Sequence, residues 1–438
     1  MESRIVIIGG GPAGYEAALV AAEHGSQVTV VADEGLGGNS VLWDSVPSKA
    51  LVVAAEAVGW REVAAAIGVA TDPGPEGQID FARVTRGLLE LGASQSADIE
   101  RRVGAAGVRI LHGRGRLVGE RRVGVSTSDG ELELAVDHVL IATGSRARVL
   151  PFFEPDGSRV LTGQQLLRLE RLPEHLVVVG SGATGAEFAH AMRRLGSEVT
   201  LVSSRTRILP SEDPDAAAVI EGVFEDRGMR IVREARAVAC DVTDHGVVIG
   251  LTDGRTVEGS HALFTVGQVP VVEGLGLEVV GIELDQHAAI PVDRVGRTSV
   301  PWLYAAGDVT GGTMLASIAA MQGRVAMWHA LGRPVQPIRT DAIAATIFTE
   351  PEVASIGMDE RTAERQGLPV TSVRLDFRGN SRAKMLHRPE GFVRITAMLG
   401  SGMVVGGVVV AARASDLIHP LAVAVQHRLT VAQLAQTL

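Results

Sequence analysis

The sequence predicts an α/β protein with two βαβ units in one chain, followed by a separate α+β domain. Three observations predict it. Two continuous apolar runs, "RIVIIG" and "HLVVVG", each pass into a Gly-rich turn and then a helix-spaced segment. Each of these is followed by a second strand, so the whole strand–turn–helix–strand unit occurs twice. From about Thr340 the pattern changes to alternating strands.

Taken in order, "RIVIIG" has the continuous apolarity of a parallel strand buried on both faces. "GPAGYEAALVAAEHG" has helical spacing and a terminal Gly, and "SQVTVVAD" is the second strand. "SKALVVAAEAVGWREVAAA" reads as a helix, and a polar, Gly-rich region with hairpins follows it. "HVLIATGS" closes that region as a buried strand ending in a Gly turn. The second unit runs "HLVVVG", "SGATGAEFAHAMRRLG" and "SEVTLVSSR", and ends around "GSHALFTVGQVP". "PWLYAAGDVTGG" comes next, with the helix-patterned "LASIAAMQGRVAMWHAL" behind it. "FVRITAML", "GMVVGGVVVAA" and two helices make the last domain, whose apolar strands need burial.

A chain of 438 residues with 46% apolar content is long enough for two or three domains with real cores. Its net charge of −10 argues against a general nucleic-acid binder, and 2 Tyr with 9 Phe make a poor stacking platform. The single cysteine, Cys240 in "AVACDV", allows neither an internal disulfide nor a Cys-rich metal site, and no metal is expected. It reads as a small core residue. "RIVIIGGG" is too short for a signal peptide, and "MVVGGVVVAARA" is too short and Gly-broken to span a bilayer. The expectation is a cytoplasmic protein without a membrane span.

Gly9, Gly11 and Gly14 lie in the first strand-to-helix turn. In a Rossmann-like unit the first Gly makes the tight turn and the second lets a pyrophosphate approach the backbone. The third lets helix and strand pack closely, with the helix N-terminus facing the anion. A ribose-binding acid is expected after the second strand. "VTVVADE" puts Ala32 at its usual place, with Asp33 and Glu34 just beyond. Asp33 is the candidate, with a solvated surface carboxylate as the alternative. The second unit offers Gly180, Gly182 and Gly185, with Glu187 on its helix. Its second strand ends without an acid, at Ser203, Ser204, Arg205 and Arg207. An Arg and small hydroxyls suit a 2′-phosphate, so Arg205 is a candidate contact to NADPH, with an ordinary surface charge as the alternative. Two such units imply two nucleotide-sized sites.

With these motifs in hand, the chain resembles the flavoprotein disulfide reductase family, which includes dihydrolipoamide dehydrogenase, glutathione reductase and soluble pyridine nucleotide transhydrogenase. The matches run along essentially the whole length: "GGGPAGYEAA", "GLGG…PSKAL", "LIATGS", "GSGATGAEFA", "FTVGQVP", "LYAAGDVTG", "IFTEPEVASIG" and "GFVRI". The resemblance implies an FAD-binding domain in two segments, 1–150 and 270–339, and an NAD(P)H-binding domain over 151–269. It implies a dimerisation domain over 340–438, hence a homodimer. Asp308 of "AAGD" would bind the ribityl chain of the flavin, with Gly307 beside it in sequence. Gly37, Gly38, Thr143, Gly144 and Ala316 would line the FAD site, Gly115 would lie near the adenine, and Gly267 belongs to the same cofactor-binding set. Lys49 of "PSK" would sit beside the flavin N5, paired with Glu187. A fixed cation there favours the anionic reduced flavin, and a buried Lys needs a carboxylate partner. An isolated lysine at a helix start would instead be read as solvated.

The departures from the family are as informative. Most members use two cysteines to pass electrons to a disulfide, and a C-terminal His-Pro-Thr motif paired with a Glu as a base. In "LGGNSVLWDSVPSKAL" Ser40 and Ser45 stand at the thiol positions. A hydroxyl forms neither a disulfide nor a flavin-stabilised thiolate at ordinary pH. The sequence stops at "VAQLAQTL", where the His motif would follow, and none of its 12 histidines supplies it. Ser317 stands where the family commonly has His. The expectation is that disulfide reduction is excluded.

What remains is a flavin that NAD(P)H reduces on one face and that is open on the other, bounded by Ser40, Ser45 and Trp43 or its neighbours. A flat acceptor such as a quinone asks little beyond positioning. The quinone reductases of this family with actinobacterial character, which also depart from the dithiol pattern, are most similar, including "SHAL", "AAMQGR" and "VAVQ.R.TV..LAQTL". They imply NAD(P)H:quinone reductase activity. Soluble transhydrogenase, which shares a Trp at the place of Trp43, is the alternative enzyme. A flavin monooxygenase would carry an aromatic-Gly-His fingerprint, which is absent. A redox-responsive flavoprotein binding partner is the non-enzymatic alternative.

Overall fold

The computed structural model describes residues 2–69 and 79–437, so part of the predicted polar region lies outside the described residues. The chain forms two compact units, Met1–Ser48 with Arg86–Arg148 and Gly267–Ile338, and Lys49–Thr85 with Val149–Val266 and Arg339–Leu438.

The first unit is built on a seven-stranded sheet. Leu303–Ala305, His138–Ile141, Arg4–Ile8, Gln27–Ala32 and the start of Arg109–Gly119 pair in parallel, in that order. The rest of Arg109–Gly119 continues as an antiparallel meander with Arg122–Thr127 and Gly130–Ala135. The continuous apolarity of "RIVII" has a simple cause. Ile5 and Ile7 join a core with Ala17, Ala21 and Met327 on one face, while Val6 and Ile8 join Leu117, Val125 and Ile290 on the other. Helices Pro12–Glu23 and Ala316–Ala330 cover the first face. They approach closely because residue 323 is glycine, where a Cβ would stand 2.1 Å from the Ala13 carbonyl oxygen.

The Gly-rich region predicted as hairpins is partly helix. Phe81–Ala105 is one 25-residue helix, and hairpins begin only at Arg109. Its buried positions Phe81, Thr85, Leu88, Gly92, Ser96, Ile99 and Val103 follow helical spacing without a break. Three of the seven are not apolar, which hides the stripe from a hydrophobicity reading.

In the second unit, Arg230–Val232, Glu198–Val202, His175–Val179, His261–Phe264 and Val160–Leu161 form a parallel sheet in that order. A three-stranded antiparallel sheet over Ala237–Gly259 adjoins it in sequence. Five antiparallel strands form the C-terminal part, with Val404–Ala411 at the centre and Val370–Asp376 at one edge. All eight residues of Val404–Ala411 are buried, and Val404, Val409 and Ala411 join a core with the helices of this part. The burial that this strand demands is therefore met within one chain and does not by itself call for a second. Exposed apolar side chains of this part include Val373 and Leu375 on the edge strand, and Met385 and Leu399 outside it. No described helix is long and apolar enough to cross a membrane.

Candidate active site

The first unit holds a cradle shaped by its glycines. Gly9 ends the first strand with φ +114°, and a Cβ there would stand 2.2 Å from the Ala142 carbonyl oxygen. At Gly14 a Cβ would meet the Gly9 carbonyl oxygen at 2.0 Å. Gly11 is different. It caps helix Pro12–Glu23 with no side-chain hydrogen bond, and a Cβ there would find nothing within 4 Å. The outer two glycines are thus demanded by the chain itself, while the middle one faces open space at a helix N-terminus. First-turn N–H groups without intrahelical partners point there. These residues fit a dinucleotide pyrophosphate.

The loop after the second strand closes over this turn. Gly37 donates its N–H to the Gly10 carbonyl at 2.8 Å, and Gly38, at φ +56°, passes so close that a Cβ would lie 2.8 Å from Gly11 Cα. Asp308 starts a short turn and accepts a 2.7 Å hydrogen bond from the Ser145 hydroxyl. Burial pushes its carboxyl above the usual carboxylate range, against the pull of Ser145, and Asp44 adds to the rise. Gly307 donates its N–H to Gln322 at 2.8 Å, and the Asn39 amide donates to the Ser145 carbonyl. Thr143 donates its hydroxyl to the Val271 carbonyl at 2.6 Å, and Gly144 has φ +73°. Ala316 is the first residue of a helix capped by Leu315 without a side-chain bond, so its first turn is also open.

Three candidates are placed differently. Asp33 is exposed and pairs with Arg114 at 3.5 Å. Gly115 lies on Arg109–Gly119, where a Cβ would come 3.1 Å from Ile8 Cγ1, a tight contact with that side chain. Gly267, at φ +102°, begins the segment that pairs with Ser145–Ala147. Within the serine loop, Ser40 donates its hydroxyl to the Gly37 carbonyl at 3.0 Å, and the Trp43 indole N–H donates to Glu34 at 2.5 Å. Ser45 opens the helix Ser45–Ala66, one turn before Lys49.

The second unit repeats the cradle. Gly180 has φ +115°, with a virtual Cβ 2.4 Å from the Thr265 carbonyl oxygen, and at Gly185 it would meet the Gly180 carbonyl oxygen at 1.9 Å. Gly182 caps helix Ala183–Arg194 and again has nothing within 4 Å. After strand Glu198–Val202, Ser203 is fully buried, accepts the Ser181 hydroxyl at 2.8 Å and the Arg205 N–H at 3.1 Å, and so holds the turn. The Arg205 side chain is exposed beyond it.

The same unit contains an ion pair. Lys49 Nζ donates to Glu187 Oε2 at 2.9 Å, with the lysine side chain 34% and the glutamate 7% exposed. Glu187 Oε1 accepts the Phe348 N–H at 2.9 Å, and Lys49 Nζ lies 5.5 Å from the centre of the Phe348 ring. Sequence reasoning paired Lys49 with Glu187 through the resemblance and missed Phe348, Gln322, Ser145 and Asn39. Phe348 sits in "IFTEPEVASIG" and Gln322 in "AAMQGR", both motifs legible as wholes. Among the described residues no cluster of His, Cys, Asp and Glu could hold a metal ion.

The sequence profile of the pyridine nucleotide-disulphide oxidoreductases matches residues 3–323, and that of their dimerisation domain matches residues 343–438. The chain belongs to this family. It is therefore a flavoprotein oxidoreductase that uses FAD and NAD(P)H. Among curated relatives, an "NAD(P)H dehydrogenase (quinone)" of Mycobacterium tuberculosis is 48% identical over 448 residues, covering 100% of this chain and 91% of the relative. A dihydrolipoyl dehydrogenase of Chlorobaculum parvum is 32% identical, covering 99% of this chain and 92% of its own length. The crystal structure of LpdA from Mycobacterium tuberculosis superposes with a TM-score of 0.95 at 48% identity, covering 100% of this chain and 96% of that one.

Proposed function

We propose that this flavoprotein passes electrons from NAD(P)H through FAD directly to a small acceptor, a quinone, without an active-site disulfide. The observation that carries the reading is the loop in which Ser40 and Ser45 replace a dithiol, in a chain whose one cysteine lies elsewhere. Cys240 is half-buried on the strand Ala237–Thr243, and burial, with Asp241 and Asp156, pushes its thiol up to about 11. A thiol that holds its proton is a poor redox nucleophile. The name of the 48% identical relative supports the choice of a quinone.

On this reading 1–150 and 270–339 bind FAD, 151–269 bind NAD(P)H, and 340–438 make a homodimer. Bound FAD would supply the redox chemistry, a hydride taken up from the nicotinamide and two electrons passed on to the acceptor. The chain supplies the rest. Gly11 and Gly182 leave room for the two pyrophosphates, Asp308 holds the ribityl hydroxyls, and Lys49 with Glu187 serves flavin reduction. With the proton carried by that hydride and a second proton from solvent, the quinone leaves as the hydroquinone. The test is an acceptor panel on the purified protein, with NADH and NADPH compared. Turnover with quinones and none with lipoamide is expected. Faster transfer to the oxidised form of the other nucleotide would make it a transhydrogenase.

Two substitutions sharpen the reading. Ser40→Ala with Ser45→Ala is expected to keep quinone reduction within about tenfold of the parent, since only modest positioning is lost. If turnover vanishes while NADPH still reduces the flavin, the serines act on the acceptor. Arg205→Glu is expected to lower kcat/KM for NADPH by about tenfold to a hundredfold and for NADH much less. Equal losses would mean that Arg205 does not meet a 2′-phosphate.

A further inference from the structure

The structure assigns Phe348 a positioning role: it fixes both partners of the Lys49–Glu187 pair, the carboxylate through its backbone and the ammonium through its ring. The assignment rests on the reading that this pair serves flavin reduction by NAD(P)H.

A lysine–glutamate pair by itself has a weak sense of direction. An ammonium is a compact charge on a flexible stem, and either carboxylate oxygen can receive it. Here the two oxygens are given different tasks. Oε1 accepts the Phe348 N–H at 2.9 Å, which leaves Oε2 for Lys49 at the same distance. The ring of the same residue lies 5.5 Å from Nζ, within the range of a cation–π attraction. One residue thus determines which oxygen is free and where the ammonium rests. With about a third of the Lys49 side chain exposed, neither is settled by burial alone.

Phe348 can hold others because it is held. Two residues on, the Glu350 side chain is 6% exposed and pairs with Arg388 at 2.6 Å, Arg194 at 2.7 Å and Arg227 at 3.4 Å. Arg194 is on the helix that carries Glu187, two turns further along. The helix that carries Lys49 passes the same hub at Gly59, where a Cβ would stand 3.4 Å from Arg194, Arg388 and Glu350 atoms. Glu352 accepts the Ser415 N–H at 2.7 Å and closes the segment. The three elements that supply Lys49, Glu187 and Phe348 therefore meet again at one buried carboxylate.

The composition adds an independent point. Of 41 basic Lys and Arg residues, only Lys49 and Lys384 are lysines. One of these two lysines is the point charge with freely rotating donors that is placed against a ring and a single carboxylate oxygen. Their scarcity also makes the test clean, because reductive ¹³C-methylation yields signals only from these two side chains and the N-terminus.

Phe348→Leu removes the ring and keeps the N–H, and Phe348→Tyr keeps both. In the wild type, the dimethyl-Lys49 signal is expected upfield of exposed Lys384 through the ring current of Phe348. It is expected to move towards Lys384 in the Leu variant and to stay in the Tyr variant. In stopped-flow measurements with saturating NADPH, the Leu variant is expected to reduce its flavin about threefold to thirtyfold more slowly, the equivalent of one cation–π contact. The half-saturating NADPH concentration should change less than about twofold, and Tyr should restore the rate. A wild-type Lys49 signal without an upfield shift overturns the assignment even if neither variant folds. So does a Leu variant that retains full rate and FAD. A wild type whose flavin NADPH does not reduce would instead overturn the functional reading and leave the ring contact standing on its resonance.

Discussion

Replacing Lys49 by Met is expected to slow reduction of the flavin by NADPH by about two to three orders of magnitude while FAD stays bound. A fixed charge aimed at the place where charge develops is worth that much in a preorganised site. Met keeps the length and apolar stem of lysine and removes only the ammonium. Glu187, buried and still held by the Phe348 N–H, would then be a carboxylate without its cation. That costs stability, about 1–3 kcal/mol, which is less than for a fully buried pair because Lys49 is a third exposed. The two effects separate in Lys49→Met with Glu187→Gln, which restores neutrality. Thermal stability should return towards the parent, and the reduction rate should not. Recovery of both would make the pair a structural feature only. Lys49→Arg is expected to rescue stability but little of the rate, since a planar guanidinium cannot occupy the same point between the Glu187 oxygen and the Phe348 ring.

The contrast between what the sequence revealed and what it hid follows from distance along the chain. Gly14 and Gly185 are imposed by the carbonyls of Gly9 and Gly180 five residues back, and Gly9 and Gly180 by a positive φ in the same turns, so a local pattern discloses them. The alternation of Ile5 and Ile7 with Val6 and Ile8 is equally local, and it marks a strand buried on both faces. The helix Phe81–Ala105 was hidden because Thr85, Gly92 and Ser96 occupy positions on its buried stripe. Gly92 is there because a Cβ would stand 2.9 Å from the Val41 carbonyl oxygen, and Ser96 because its hydroxyl donates to the Leu36 carbonyl at 2.5 Å. Neither reason is visible in a hydrophobicity pattern. Phe348 was missed for a different reason. Its bond to Glu187 spans 161 positions, and its backbone makes it, which residue type does not report.

The second large effect concerns the two glycines that nothing in the fold requires. Gly11 and Gly182 occupy equivalent places, each capping a helix, each with no atom within 4 Å of a virtual Cβ. Both have negative φ, near −67° and −74°, so a larger residue is tolerated by the backbone. Leucine at either place should therefore fold, yet fill the space in which a pyrophosphate would approach the helix N-terminus. Gly11→Leu is expected to yield a folded protein that purifies without flavin. Gly182→Leu is expected to stay yellow, and dithionite should still reduce its flavin, while kcat/KM with NADPH falls by at least about a hundredfold. Gly185→Ala provides the contrast. Its Cβ would meet the Gly180 carbonyl oxygen at 1.9 Å, so it should lower stability before it affects binding. Absorbance of the purified variants, circular dichroism and stopped-flow reduction by NADPH read all three. If Gly182→Leu lost FAD and Gly11→Leu kept it, the two cradles would hold their cofactors the other way round. If both leucine variants kept flavin and full reduction by NADPH, neither open space would be a pyrophosphate site.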